Sequence, residues 1–154
     1  MRAQYRVRRA LREDLGKIQE IENASFGPEA YDCNLFAYYL DRCGELFLVA
    51  ERRARICAYM LTCVRGTAPP KAELISVAVD PADRERGAAT ALLESTLRRL
   101  RRRHVARLHL MVRVGNRPAL AFYEKYGFRR VRRVLRYYED GGDGIAMTRD
   151  VGPA

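Results

Sequence analysis

At 154 residues, with 48% hydrophobic and 31% charged side chains, the chain is sized for a single domain over residues 1–154 with a real core. No apolar run reaches the roughly 20 residues of a membrane-spanning helix, and the charged N-terminal segment has no apolar stretch behind it, so neither a membrane protein nor a secretory signal is expected. The net charge of +10 favours acidic partners, but 26 of the 29 basic residues are arginine, a bias that resembles genomic base composition more than selection for a ligand.

A short alternating strand, Tyr5 to Arg9, opens the chain. A helix then begins at Arg12-Glu13-Asp14, repeats Leu15, Ile18 and Ile21 at helical spacing, and ends near Ser25. Phe26-Gly27-Pro28 breaks it, and Leu35 to Leu40 predicts a second short helix. Glu45 to Glu51 and Arg55 to Val64 read as strands joined by a tight turn at Arg52-Arg53-Ala54. Cys57 and Cys63 fall in the second of these. With Cys33 and Cys43 they show neither zinc-type pairing nor a dense framework, so reduced thiols and a cytoplasmic setting are expected.

The segment from Glu73 to Leu93 carries most of the information. Leu74, Val77 and Val79 make an apolar strand that Asp80-Pro81 ends, because proline has no N–H for a ladder. Arg84-Glu85-Arg86-Gly87-Ala88-Ala89-Thr90 then opens a helix with small side chains. Its first N–H groups lack internal partners and, with the helix dipole and two arginines, suit a pyrophosphate. Further on, Arg107 to Val114 is a strand, Pro118 to Tyr126 a helix capped by Gly127, and Arg129 to Tyr138 and Ile145 to Arg149 are closing strands around a turn at residues 139–144. Arg98 to Arg103 ends the helix begun at Gly87, where cations oppose the dipole. Arg129 to Arg136 alternates with Val131, Val134 and Leu135 as a strand with one solvated face would.

The pattern Arg84-x-x-Gly87-x-Ala89 resembles the acyl-CoA signature of the GNAT superfamily of N-acetyltransferases. The downstream block Leu110-Met111-Val112-Arg113-Val114-Gly115-Asn116 to Phe122-Tyr123 and Tyr126-Gly127-Phe128 is similar to that family's second half, so the resemblance covers residues 5 to 149. It implies an α/β fold: a mixed, mostly antiparallel sheet of six to seven strands flanked by about four helices, with a splayed parallel pair forming the acyl-CoA cleft. Acetyl-CoA would be the co-substrate, with no metal. Its pantetheine arm would pair with the backbone of Val77, Ala78 and Val79 and with Asn116. Its phosphates would lie at Arg84, Arg86, Gly87, Ala88, Ala89 and Thr90.

Direct transfer of acetyl to an amine needs a base and a proton for the leaving thiolate. Tyr123 matches the family's general acid. Where a Glu or His usually precedes the Asn by five residues, Met111 stands here, and it cannot accept a proton. Glu73 matches the catalytic glutamate of the histone-acetyltransferase branch, and an apolar cleft would raise its pKa. Glu22 is a weaker third option, and His109, on the same strand face as Met111, lies further from the thioester end.

On the acceptor side, Phe26 to Tyr31 resembles the loop that walls the substrate groove. Tyr137-Tyr138 resembles the paired-tyrosine hairpin of the ribosomal-protein-alanine N-terminal acetyltransferases. The first reading is therefore transfer to a protein N-terminal α-amine, with ribosomal proteins among the acceptors. The alternatives are a lysine, or a small polyamine or aminoglycoside-like amine drawn to Glu22, Glu29, Asp32 and Glu73. A third is a non-catalytic module binding CoA, or RNA through the basic surface. A monomer or homodimer fits all of these.

Overall fold

The computed structural model describes residues 4–67 and 69–152, the side chain of Glu29 excepted. Its elements run β1 (Arg6–Arg9), α1 (Leu15–Phe26), α2 (Cys33–Cys43), β2 (Phe47–Arg52), β3 (Arg55–Arg65), β4 (Lys71–Val79), α3 (Ala88–Arg102), β5 (Arg107–Arg113), α4 (Arg117–Lys125), β6 (Arg129–Val134) and β7 (Gly144–Asp150). The seven strands form one sheet in the order β1-β2-β3-β4-β5-β7-β6. Strands β1/β2, β2/β3, β5/β7 and β6/β7 pair antiparallel. The β4/β5 pair is parallel, with register partners only at Ala72–Leu108 and Glu73–His109. The chain divides into two compact units. One runs through Val64 and resumes over Leu74–Arg99; the other holds Arg65–Glu73 and everything from Leu100 on.

In the first unit, β3 is buried continuously from Ile56 to Cys63, the pattern of a central strand covered on both faces. Strand β4 alternates instead, with Leu74, Ser76 and Ala78 turned inward. Helix α1 lays Leu15, Ile18, Ile21 and Glu22 against a core that includes Phe36, Phe47, Val49, Tyr59 and Leu61. Each large apolar side chain fully buried there contributes about 1.5–3 kcal/mol. Helix α2 starts two residues before the predicted Leu35, because Asp32 caps it by accepting from the Leu35 N–H at 2.9 Å.

The expectation of reduced cysteines in β3 holds for Cys57 and is corrected for Cys63. Cys43, the last residue of α2, is disulfide-bonded to Cys63, their Cα atoms 5.2 Å apart. Packing of the helix end over the strand creates that proximity, and spacing along the chain does not reveal it. Of the two remaining cysteines, Cys33 is exposed and Cys57 buried.

In the second unit, β5 and β7 pair from Arg107–Asp150 to Arg113–Gly144. Helix α4 buries Leu120 and Tyr123 and stops at Gly127, whose φ of +89° suits glycine. Two expectations for β6 fail. The strand ends at Val134, short of Tyr138, because Asp143 accepts from the Arg136 N–H at 2.9 Å and from the Arg133 guanidinium at 2.8 Å, turning the chain. Nor has it a buried face: Val131 is 56% exposed, and Leu135 just beyond the strand 71%. An arginine-rich edge strand of this kind resists pairing with other chains.

Candidate active site

The turn predicted to bind an anion is framed by charged side chains. Beyond Val79, the Asp80 carboxylate accepts from the Ala82 N–H at 3.1 Å and pairs with Lys17 at 3.4 Å. Asp83 is fully buried, with the guanidinium groups of Arg55 at 2.8 Å and Arg52 at 3.4 Å. Gly87 has φ of +94°, a conformation that side-chain-bearing residues avoid, and a Cβ there would meet no protein atom within 4 Å. The backbone therefore demands glycine while the space before it stays open. The Ala91 N–H bonds the Gly87 carbonyl and starts α3, with Ala88 buried and Ala89 and Thr90 half-buried behind it. Arg84 and Arg86 are exposed. Arg84 is also partly engaged, donating to the Val79 carbonyl at 3.3 Å and to the Ser25 hydroxyl at 3.2 Å. Of the strand predicted to carry the pantetheine arm, Ala78 is buried, and Val77 and Val79 are half-buried on the opposite face.

Toward the predicted acceptor wall, Phe26 is 40% exposed and Tyr31 half-buried, its ring edge-on to Phe36 at 6.0 Å. Glu22 is buried here. Its Oε1 accepts from the Tyr59 hydroxyl and, at 3.4 Å, from the Ser76 hydroxyl, while Oε2 accepts from the Tyr31 N–H at 2.9 Å. Tyr59 and Ser76 are 2.8 Å apart. Burial first, then the Glu22 charge, pushes the Tyr59 phenol far above its ordinary value, so it remains a donor. Both oxygens of this carboxylate are thus engaged by donors of the protein itself.

In the second unit, Asn116 caps α4, accepting from the Ala119 N–H at 3.2 Å. Tyr123 is buried with its ring edge-on to Phe128 at 5.4 Å, and burial, with a smaller effect of Tyr138, holds its phenol above 10 and protonated. Tyr137 and Tyr138 stand edge-on at 4.9 Å in the turn after β6, not in a strand. The Arg113 guanidinium lies 4.0 Å over the Tyr138 ring and pairs with Asp140 at 3.0 Å, which fixes the turn.

The base candidates separate clearly. Met111 packs against Gly144, where a Cβ would meet its sulfur at 2.8 Å, so a thioether fills the usual proton-acceptor position. The apolar surrounding expected for Glu73 is not found: the side chain is 37% exposed and pairs with Arg65 at 3.5 Å. The parallel register sets it opposite His109 on the neighbouring strand. Burial first, then the Lys71 and Arg107 charges, lowers the His109 pKa below 6.5 against the pull of Glu73. Its neutral form thus prevails at pH 7. Glu22 is enclosed, Asp32 caps α2, Glu73 holds Arg65, and the Glu29 side chain lies outside the described residues.

Residues 12–128 match the Acetyltransferase (GNAT) family. The chain belongs to that family. As a GNAT enzyme it is an acyl-CoA-dependent N-acetyltransferase with acetyl-CoA as co-substrate. It is similar to an N-alpha-acetyltransferase of Sulfolobus acidocaldarius, 31% identical over 93% of this chain and 90% of the relative. Among solved structures it resembles Ard1 from Thermoplasma volcanium (TM-score 0.90, 25% identity, 97% and 99% of the chains covered) and the ribosomal-protein-S18-alanine N-acetyltransferase of Escherichia coli (TM-score 0.81, 29% identity, 97% and 96%). The Gly87 turn fits a GNAT co-substrate on its own geometry, since an open helix N-terminus fronted by a side-chain-free backbone admits a pyrophosphate. Among the described residues, no helix is long and apolar enough to cross a membrane.

Proposed function

We propose that residues 1–154 act as one domain that moves acetyl from acetyl-CoA to the α-amine of a protein N-terminus, in a cytoplasmic setting, with ribosomal proteins among its acceptors. The observation that carries this reading is the likeness to an N-alpha-acetyltransferase over 93% of the chain, which takes in the acceptor-side residues as well as the anion turn.

Acetyl-CoA supplies an activated thioester carbonyl. The N–H groups from Gly87 to Thr90, with Arg84 and Arg86, hold its phosphates. The backbone of Val77 to Val79 and the Asn116 amide take the pantetheine amides. The amine nitrogen bonds to the acetyl carbon as the carbon–sulfur bond breaks. The amine gives its proton to the Glu73–His109 pair, and Tyr123 donates to the departing sulfur. An α-amine with pKa near 8 is already about a tenth neutral at pH 7, whereas a lysine at about 10.4 is neutral about 0.04% of the time. A half-exposed base pair with Met111 at the usual position therefore suits an α-amine better than a lysine.

Phe26, Tyr31, Tyr137 and Tyr138 would hold the peptide, the last two through their hydroxyls. In steady-state assays, Tyr137→Phe and Tyr138→Phe are expected to raise the peptide KM and leave the acetyl-CoA KM unchanged. An unaltered peptide KM in both variants would remove the hairpin from the acceptor site.

A further inference from the structure

The buried carboxylate of α1 has no role in the chemistry above, and its surroundings are unusual for a helix side chain. Glu22 lies on the apolar stripe of α1, at the position after Ile21 and seven after Leu15. Both of its oxygens are occupied: one by Tyr59 and Ser76, the other by the Tyr31 backbone N–H. The Tyr31 carbonyl is also taken, accepting from the Gln19 amide at 2.6 Å, one turn earlier on the same helix. The Gln19 oxygen is buried with no partner among the described residues, so this side chain is held there by its NH2 group. The Tyr31 ring meets Phe36 at 6.0 Å, and Phe36 in turn meets Tyr59 edge-on at 5.5 Å. Backbone, carboxylate, phenol and rings thus close a circuit around one residue of the predicted acceptor wall.

We infer that Glu22 is a positioning residue: with Gln19 and the Tyr59–Ser76 hydroxyls it clamps the Gly27–Tyr31 segment in the conformation that receives the acceptor. The inference rests on the reading of Phe26 and Tyr31 as the acceptor wall. A carboxylate suits the task because Oε2 must accept from a backbone N–H while Oε1 accepts from a phenol. Gln can reproduce this: its oxygen takes the Tyr31 N–H, its NH2 donates to the Tyr59 oxygen, and Tyr59 turns its proton toward Ser76. Ala cannot, and it leaves a backbone donor unsatisfied. The clamp therefore separates from a base, which Gln would abolish.

The test pairs amide hydrogen exchange of the free enzyme with steady-state kinetics on a peptide bearing a free α-amine. Glu22→Ala should speed exchange over residues 27–32 alone and raise the peptide KM about tenfold, as loss of a charge-assisted hydrogen bond would, with the acetyl-CoA KM unmoved. Glu22→Gln should restore both. Should Glu22→Ala not fold, Gln19→Ala is expected to loosen the same segment from its carbonyl side. Three results overturn the clamp: unchanged exchange at residues 27–32, faster exchange across α1, β3 and β4 alike, or a Gln variant as slow in kcat as the Ala variant with normal peptide KM. If the unmodified enzyme acetylates no peptide, the acceptor reading falls, while exchange alone still decides the clamp: local loosening upholds it and none overturns it.

Discussion

Tyr123 and His109 show how environment assigns a residue its part. Burial keeps the Tyr123 phenol protonated across the working range, so its O–H proton is available to donate, as the proposed role toward a departing thiolate requires. Tyr123→Phe is expected to lower kcat by about 100-fold without moving either KM, checked by steady-state kinetics; a KM-only change would make Tyr123 a packing residue. His109 has a depressed pKa, so the folded state favours its neutral form. That contribution to stability is complete above pH 6.5 and is lost as pH falls through the lowered folded value. As part of the proposed base pair it would place the acidic limb of kcat/KM, expressed per neutral amine, below pH 6.5. His109→Gln should abolish that limb, and an inflection above 6.5 in the unmodified enzyme would contradict the assignment.

At the scale of elements, two tethers hold segments that local propensity alone would leave loose. The Cys43–Cys63 bridge closes a loop between α2 and β3 with a sequence separation of 20, and such a cross-link stabilises a domain by about 2–4 kcal/mol. Thermal unfolding with and without reductant should show a lower Tm on reduction, and a Cys43→Ser, Cys63→Ala double variant should lose its response to reductant. The Asp83 pairs with Arg52 and Arg55 frame the anion turn. Asp83→Ala leaves two arginines without the carboxylate they share and is expected to lower the midpoint of urea unfolding and to raise the acetyl-CoA KM through a displaced turn.

These tethers are also where the sequence was hardest to read. Strand β4 alternates and β3 is apolar throughout, so hydrophobic pattern alone placed both. The anion turn carried local signals as well, Asp80-Pro81 and Gly87. The disulfide joins residues of two elements, and no periodicity couples them. The Asp32 cap was visible in principle, as an acidic residue before an apolar helical run. The end of β6 was not, since it depends on where Asp143 folds back. The Glu22 circuit had a faint signal: a carboxylate on the apolar stripe of α1, a tyrosine in the buried run of β3 and a serine at an inward position of β4. The Glu73–His109 pairing needs the parallel register and could not be found from either strand alone.

For the molecule as a whole, family membership supplies the acetyl donor, and the acceptor is the central claim. The most direct measurement incubates the enzyme with acetyl-CoA and peptides that carry both a free α-amine and internal lysines, then locates the added acetyl group by fragmentation mass spectrometry. The expected result is acetyl on the α-amine, with lysine side chains unmodified. Acetyl confined to lysine side chains, or transfer to small amines with none to peptides, would contradict it.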